Sequence, residues 1–176
     1  NNEKYIFVSS REWHIKEFEN IKDDLSGNWE VISDKKDLNM SNLIKINPTY
    51  IFFPHWSHFV SEEITNRFEC ICFHESNLPY GRGGSPIQNL IIQGEKHTKI
   101  TALRMTRDID AGPIYMQEDF SLLGLAEEIY IRSAKLILQM IKKIIDNKPV
   151  PKNQEGEPIN FKRRCPNESL IKEDIK

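Results

Sequence analysis

The sequence predicts an α/β fold with a mostly parallel, Rossmann-like sheet, flanking helices and a short C-terminal arm. Short apolar runs alternate along the chain with longer amphipathic segments, which is the pattern that successive β-α-β units produce. The length of 176 residues suits one domain. Hydrophobic residues make up 39% of the chain and charged residues 28%, as in an ordinary globular protein with a sizeable core.

The elements of this fold can be placed in order. Apolar runs predict strands at residues 5–8, 29–33, 50–53, 70–73, 98–105 and 114–120. Apolar side chains at helical spacing predict helices at residues 12–25, 59–68, 86–92 and 126–145. The segment 38–46 is short and leaves its conformation open. Residues 74–86, rich in glycine and proline, predict a long loop without a strand. We expect the domain at 1–148 and the arm, packed on it, at 149–176.

Charge and cysteine content exclude several classes of protein. There are 24 basic and 26 acidic residues, and a net charge of −2 argues against a nucleic-acid partner. No apolar run approaches the roughly 18 residues of a membrane span, and no secretory signal is visible. Three cysteines without a CxxC pair exclude a disulfide scaffold and fit a reducing compartment. We therefore expect a cytoplasmic protein with no membrane partner.

Glycine motifs for binding phosphate are missing from their usual places. Ser9, Ser10 and Arg11 follow the first strand, where a dinucleotide-binding turn needs glycines. The Gly81–Gly84 segment lacks the Lys-Ser or Lys-Thr ending of a P-loop. A nucleotide cofactor held in either of these ways is not predicted.

Two loops carry most of the unusual polar residues. His74 opens the glycine-rich loop, and Asp108 and Asp110 lie between the two hairpin strands. A carboxylate can fix the tautomer of an imidazole and stabilise its protonated form, so such a pair can move a proton. Alone, a histidine at a strand end is more often structural, and Asp-x-Asp in a turn is usually turn chemistry. The aromatic segment 55–58 ends another strand at the same edge and is suited to a flat heterocycle.

In order and together, these motifs resemble the formyltransferase family. Residues 73–86 resemble the family signature Asn-x-His-x-Ser-x-Leu-Pro followed by Arg-Gly, and residues 98–114 resemble the block whose Asp-x-Gly carries the catalytic acid. The tail at 151–164 is also similar, so the resemblance extends from about residue 50 to 171. Residues 53–57 and 78–90 are most similar to small sugar formyltransferases of the pseudaminic-acid type.

The resemblance implies 10-formyltetrahydrofolate as formyl donor and the primary amine of an amino sugar, nucleotide-linked or a pseudaminic-acid precursor, as acceptor in surface-glycan biosynthesis. It makes His74 the catalytic histidine and Asp110 its carboxylate partner. Cys72 stands where the family has an Asn that donates a hydrogen bond to the developing oxyanion, and a thiol is a poor donor. The side chains left as candidate replacements are those of His55, Ser57, Asn77 and Gln88.

The resemblance also implies two sets of binding residues. Folate would lie along a strand end and a loop, at His55, Trp56, Ser57, His58, Thr106, Arg107, Asp108 and Ile109. The acceptor would contact Arg11, Asn77, Arg82, Gly83, Ser85 and Gln88. The chain length and the two family-like blocks indicate that residues 1–148 are a formyltransferase catalytic domain. We therefore expect the acceptor to be recognised by this domain, by the arm or by a second copy of the chain. A homodimer is left open.

Three other interpretations stay open. A methionyl-tRNA formyltransferase-like enzyme lacking its C-terminal domain shares the catalytic blocks, although the net charge of −2 argues against a tRNA substrate. A catalytically degenerate folate-binding module fits the presence of Cys72. A metal site at Cys70, Cys72 and His74 is disfavoured, because three ligands on one straight strand suit a tetrahedral ion poorly; no resident metal is expected.

Overall fold

A computed structural model describes residues 2–165, which form eight β-strands and five α-helices. The strands are β1 (Lys4–Val8), β2 (Asn28–Ile32), β3 (Tyr50–Phe53), β4 (Cys70–His74), β5 (Tyr80–Gly83), β6 (His97–Arg104), β7 (Ile114–Ser121) and β8 (Ile159–Phe161). The helices are α1 (Glu12–Ile21), α2 (Met40–Ile46), α3 (Glu62–Arg67), α4 (Pro86–Ile92) and α5 (Ala126–Asn147).

Six strands form the central sheet in the order β2-β1-β3-β4-β6-β7. The first four of these are parallel, and β6 runs antiparallel to both β4 and β7. The α/β fold with a mostly parallel sheet is therefore confirmed. The chain builds outward from β1 in both directions, and the carboxyl ends of strands beside such a switch point are where ligands bind in open α/β sheets.

The sheet is buried on both faces, which explains why its central strands read as continuous apolar runs. Successive side chains of β1 point to opposite sides: Tyr5 and Phe7 join one hydrophobic cluster, and Ile6 and Val8 join the other. On the first side the rings of Phe7 and Phe18 stack with their centroids 4.3 Å apart. Truncating such a buried ring costs about 3–5 kcal/mol of folding free energy.

The structure changes four of the predicted elements. The helix expected at 12–25 ends at Ile21 and is followed by a 3-10 turn, Lys22–Asp24. The helix expected at 59–68 covers only Glu62–Arg67, because Ser61 caps it by accepting a hydrogen bond from the backbone of Ile64, and Phe59 is 90% exposed. The unassigned segment 38–46 contains a helix, α2, which Asn39 caps. The loop expected at 74–86 contains β5, which pairs with β8 in a separate two-stranded sheet.

The arm after α5 lies against the body of the domain as far as residue 165. Lys152 forms an isolated bridge with Ile114, and β8 runs parallel to β5. The ring of Phe161 packs edge-on against Tyr80 with 5.4 Å between the centroids. Residues 166–176 of the predicted arm lie outside the described residues. None of the helices within 2–165 is long and apolar enough to cross a membrane.

Candidate active site

A cleft of about 640 Å³ opens at the carboxyl ends of β3 and β4. Ten of the residues singled out from the sequence line it: His55, Trp56, Ser57, His58, Cys72, His74, Gly83, Ser85, Ile109 and Asp110. They come from three separate stretches of chain that the sheet order and the β6–β7 connection bring to one edge. The two blocks that carry the predicted His–carboxylate pair therefore meet in one cleft.

His74 is the last residue of β4 and is buried. Its Nε2 lies 2.6 Å from the carbonyl oxygen of Gly81, and its Nδ1 lies 3.7 Å from Oδ1 of Asp110. A carbonyl oxygen only accepts, so Nε2 carries the hydrogen in this contact. In the neutral ring Nδ1 is then unprotonated, and it becomes the atom that can gain a proton beside the carboxylate.

Asp110 is held in place from two sides. Its Oδ2 accepts a hydrogen bond of 2.9 Å from the backbone N–H of Gly83, which leaves Oδ1 toward His74. Its backbone adopts the left-handed region, with φ of 56°, which asparagine and aspartate tolerate better than other side chains. The glycine-rich loop and the β6–β7 connection are thus bonded directly to each other at the predicted His74–Asp110 pair.

A side chain from the arm, Gln154, ties the same two loops together. Its Nε2 donates to the carbonyl oxygens of Asp110 at 2.8 Å and Gly112 at 2.9 Å. Its Oε1 accepts from the guanidinium of Arg82, 2.8 Å from Nη2. The arm therefore helps to fix the position of Asp110, and Arg163 of the arm also lines the cleft.

Cys72 shares a face of β4 with His74, two residues away, and lines the cleft. Burial, together with the charge of Asp110, raises the pKa of its thiol far above the ordinary value. Burial also raises the pKa of Cys70, to about 12. Both cysteines are uncharged thiols at neutral pH, and thiolates are what metals and electrophiles need. Among the described residues no group of three or more His, Cys, Asp or Glu is arranged to hold a metal ion.

Beside His74 a second hydrogen-bonded chain lines the cleft. Nε2 of His55 lies 3.0 Å from Oε1 of Glu75, and Nδ1 of His55 lies 2.9 Å from Nδ1 of His14. Ser133 on α5 donates to the same oxygen of Glu75, 3.3 Å away. Burial, and then the charge of His55, lower the pKa of His14 to about 3, so His14 is neutral. A carboxylate only accepts, so His55 donates to Glu75 through Nε2, while Nδ1 of His55 and Nδ1 of His14 share one hydrogen bond.

Glu75 keeps its charge in this network. Burial acts to raise the pKa of its carboxyl, but the hydrogen bond from His55 and the charges of His55 and His74 outweigh burial and lower the pKa below its ordinary value. The carboxylate is 8% exposed and lines the same cleft as the His74–Asp110 pair. A second buried anion therefore lies next to His74.

Two further cavities adjoin the cleft. One, of about 570 Å³, shares His55 with it and is also lined by Arg11, Trp13, Glu17, Glu127, Tyr130 and Ile131. The other, of about 250 Å³, shares Cys72, Asp110 and Ile109 and includes the predicted folate residues Thr106, Arg107 and Asp108. Arg11 and that loop segment thus lie beside the cleft rather than in it.

Three of the predicted acceptor-binding residues, Asn77, Arg82 and Gln88, do not line the cleft or the two cavities beside it. Asn77 lines a separate cavity with Tyr80 and Lys99, because the turn before β5 directs it away from the cleft. Gln88 donates to the hydroxyl of Tyr130 at 2.8 Å, and Arg82 is held by Gln154. Of the four candidates to replace the Asn donor, only His55 and Ser57 line the cleft.

Sequence reasoning missed Glu75, His14, Gln154 and Arg163. Glu75 follows His74 directly at the end of the apolar strand β4, and a charged residue in that place could have been recognised as a candidate site residue. His14 was hidden within an amphipathic helix. Gln154 and Arg163 lie on the arm, whose path over the domain is fixed by pairing between β5 and β8 and by the Lys152–Ile114 bridge.

Comparison with known proteins gives this site a family. Residues 15–132 match the formyl transferase family. Methionyl-tRNA formyltransferase of Thermodesulfovibrio yellowstonii is 32% identical over 131 residues, which are 70% of this chain and 42% of that protein. The counterpart in Rickettsia massiliae is 31% identical over 134 residues and is covered to 44%. The chain thus spans less than half the length of the curated relatives that it matches.

Solved structures agree on the fold. A methionyl-tRNA formyltransferase from Clostridium thermocellum superposes with a TM-score of 0.93 at 41% identity, over 98% of this chain and 78% of that one. The formyltransferase PseJ from Anoxybacillus kamchatkensis, solved with a UDP-linked formamido sugar and tetrahydrofolate, superposes with a TM-score of 0.70 at 17% identity, over 90% and 85%. At that identity the likeness concerns the fold alone. On the extent of the matching segment and the identity to its relatives, this chain belongs to the formyl transferase family.

Proposed function

We propose that this chain transfers a formyl group from 10-formyltetrahydrofolate to a primary amine. The observation that carries the proposal is the pair of His74 and Asp110, with 3.7 Å between Nδ1 and Oδ1, at the bottom of a cleft large enough for a small organic molecule. Family membership supplies the reaction class, and the pair supplies the acid–base group that amine acylation needs.

The cleft suits the flat pterin of the donor. Its volume of about 640 Å³ lies within the range of small-molecule sites, and its walls include Phe53, Trp56, Met105 and Ile109. Polar side chains of the 55–58 segment, His55, Ser57 and His58, also line it. A structure of HypX from Aquifex aeolicus was solved with tetrahydrofolic acid. When bound, 10-formyltetrahydrofolate supplies an activated formyl carbonyl.

Different residues of the cleft have different roles around the formyl carbonyl. Gly81 holds Nε2–H of His74, so that Nδ1 is free to take a proton from the attacking amine. Asp110 then stabilises the imidazolium, and Gly83 keeps the carboxylate in position. The protonated ring can in turn donate toward negative charge that develops on the carbonyl oxygen.

Cys72 affects which group stabilises the negative charge that develops on the formyl carbonyl oxygen. Its thiol is uncharged and donates weakly, so protonated His74 carries most of the stabilisation. His55 and Ser57 also line the cleft, but both ring nitrogens of His55 are already bonded to Glu75 and His14. Ser57, whose hydroxyl bonds to Ser10, is the remaining side-chain candidate of the four.

Methionyl-tRNA is the first candidate acceptor, because the curated relatives at 31–32% identity carry that activity in their names. An amino sugar is the second. The cavity that shares His55 with the cleft presents two aromatic side chains, Trp13 and Tyr130, beside Arg11. Its two carboxylates, Glu17 and Glu127, can accept hydrogen bonds from sugar hydroxyls, and Arg11 can pair with an anionic group of the acceptor.

An assay with both acceptors tests the proposal. Purified chain is incubated with 10-formyltetrahydrofolate and either initiator methionyl-tRNA or the UDP-linked 4-amino sugar from which the PseJ product derives, and formylated acceptor is measured by mass spectrometry. We expect formylation that stops in Asp110→Asn protein. Transfer to the tRNA that weakens steeply with salt identifies the first acceptor, whereas salt-insensitive transfer to the sugar identifies the second. Binding of tetrahydrofolate without transfer to either amine contradicts the proposal.

A further inference from the structure

Glu75 is a charged side chain in the cleft for which the His74–Asp110 mechanism has no use. It is 8% exposed and follows the catalytic histidine in the chain. Burying a carboxylate costs several kcal/mol unless donors compensate it, so such a group is a candidate for function. The donors here are His55 and Ser133, and both bond to the same oxygen, Oε1.

The arrangement directs one half of the carboxylate to the protein and leaves the other for a ligand. Oε1 lies 3.0 Å from Nε2 of His55 and 3.3 Å from Oγ of Ser133. Among the described residues these two side chains are the ones within hydrogen-bond distance of the carboxylate, and both contact Oε1; the backbone N–H of Glu75 is a further donor to the carboxylate. Glu75 itself lines the cleft, together with His74.

The negative charge of Glu75 indicates a cationic group on the acceptor. A primary amine with an ordinary pKa arrives from water as an ammonium ion, and a buried carboxylate with an open oxygen is a strong partner for it. In the cleft Asp110 is engaged by Gly83 and faces His74, so Glu75 is the anion left for the incoming cation.

We propose that Glu75 is the acceptor-binding residue, and that its carboxylate receives the amino group of the acceptor as an ammonium ion beside His74. This inference rests on the proposed function. His55 and Ser133 are positioning residues, because they orient the carboxylate without meeting the amine. Since His55 also lines the second cavity, the rest of the acceptor lies there, with its amino end directed past His55 into the cleft.

The protons of the reaction balance with this assignment. An ammonium group has three N–H protons: one stays in the formamide, one passes to the nitrogen that leaves with the donor, and one is released to water. His74 Nδ1 takes the first proton to depart, which frees the lone pair that forms the new N–C bond as the donor's C–N bond breaks. Glu75 keeps its negative charge throughout, so it is a binding group and no base.

The ionisable groups around Glu75 come from four elements. His74 and Cys72 are on β4, His55 follows β3, His14 is on α1 and Tyr130 is on α5. Burial, followed by the charge of Glu75, raises the pKa of Tyr130, so this phenol stays neutral over the range of the test. His14 stays neutral as well, with a pKa of about 3. Between pH 7 and 9 the ammonium of the acceptor is therefore the group whose loss of charge Glu75 reports.

Steady-state kinetics of Glu75→Gln protein tests the inference, using whichever of methionyl-tRNA and the UDP-linked 4-amino sugar the wild-type chain formylates. At pH 7 we expect the KM for the acceptor to rise roughly 10- to 100-fold, as for loss of a charge-assisted hydrogen bond, while the KM for the formyl donor stays within about twofold of wild type. The defect shrinks as the pH passes the pKa of the acceptor amine, because a neutral amine needs no counter-charge.

Controls separate binding from structure. Glu118→Gln makes the same change at a carboxylate on β7 that pairs with Lys143, and the KM values for both substrates stay at the wild-type level. Glu75→Asp retains the charge, so its pH profile follows wild type even where KM rises, and it serves if Glu75→Gln fails to fold. A pH-independent loss, or equal increases in the two KM values, overturns the inference. Wild-type protein that formylates neither acceptor instead overturns the proposed function.

Discussion

The carbonyl oxygen of Gly81 lies 2.6 Å from Nε2 of His74. This contact selects the tautomer of the histidine and leaves Nδ1, 3.7 Å from Asp110, as its basic atom. In the proposed function, this backbone carbonyl determines which ring nitrogen accepts the proton of the amine. We therefore expect activity to depend on the geometry of the glycine-rich loop as well as on the histidine itself.

Replacing either member of the pair is expected to stop turnover. His74→Asn removes the proton acceptor, and Asp110→Asn removes the charge that stabilises the imidazolium while keeping an oxygen for the Gly83 N–H. We expect kcat to fall roughly 10²- to 10⁴-fold in each, the usual contribution of a positioned acid–base group. Thermal unfolding of both variants should stay close to wild type. Near-normal kcat in both folded variants would falsify the assignment.

Cys72 offers a change that is expected to increase activity. Cys72→Asn introduces an amide donor where the family resemblance places one, and such donors contribute roughly 10²- to 10³-fold where they are native, so we expect kcat to rise at least about tenfold. Cys72→Ala is expected to stay within about threefold, because a neutral thiol donates weakly.

The matched control is Cys70→Ala, which should leave kcat unchanged, since Cys70 lies outside the cleft and its Sγ is 4.0 Å from the carbonyl oxygen of Ile64. A hundredfold loss in Cys72→Ala alone would show instead that the thiol takes part in the reaction.

His14 makes the fold sensitive to mild acid. The pKa of His14 in the folded protein is about 3, below the ordinary value of 6.5. Between these two pH values the unfolded chain binds more protons than the folded one, so the free energy of unfolding falls as the pH drops below 6.5. Between pH 7 and pH 5 the loss is about 2 kcal/mol. Urea unfolding at the two pH values measures it.

In His14→Gln protein, which cannot titrate at this position, that part of the pH dependence should disappear. The idea fails if wild type and variant lose the same free energy between pH 7 and pH 5.

Gly81 can be tested against a glycine with the same φ. Gly81 and Gly94 both have φ of 82°, but a Cβ at Gly81 would lie 2.7 Å from the ring of Phe161, whereas nothing lies within 4 Å at Gly94. Each alanine substitution costs about 1 kcal/mol for the left-handed conformation. Gly81→Ala should lose more stability than Gly94→Ala, and should lower kcat by displacing the carbonyl that holds His74. Equal kcat values in the two variants would mean that this carbonyl does not position the ring.

The sequence was informative where one local rule governs the structure. Apolar periodicity located the strands and helices of the sheet, and the family resemblance of the blocks around His74 and Asp110 indicated their pairing. Strand direction alone would not have done so, because β6, the strand before Asp110, runs antiparallel to β4. β5 could not be found in this way, since Tyr80–Gly83 has no apolar alternation and its partner strand lies at Ile159–Phe161.

Side-chain direction was the other limit. Asn77 and Gln88 lie within or next to the glycine-rich loop, yet both point away from the cleft, because turn geometry and the start of α4 set their orientation. The chain of His14, His55 and Glu75 joins three distant positions through contacts of 2.9 and 3.0 Å. Nothing in the local pattern of any of the three indicates the other two.

The bonds from Gln154 to Arg82, Asp110 and Gly112 also bear on how the protein is made. During synthesis Gln154 and Arg163 emerge from the ribosome after all the strands of the central sheet, the last of which ends at Ser121. A growing chain can therefore complete that sheet while the loop around Asp110 still lacks the side chain that fastens it. We expect the newly made polypeptide to acquire its working cleft late, only once this closing segment has emerged and docked.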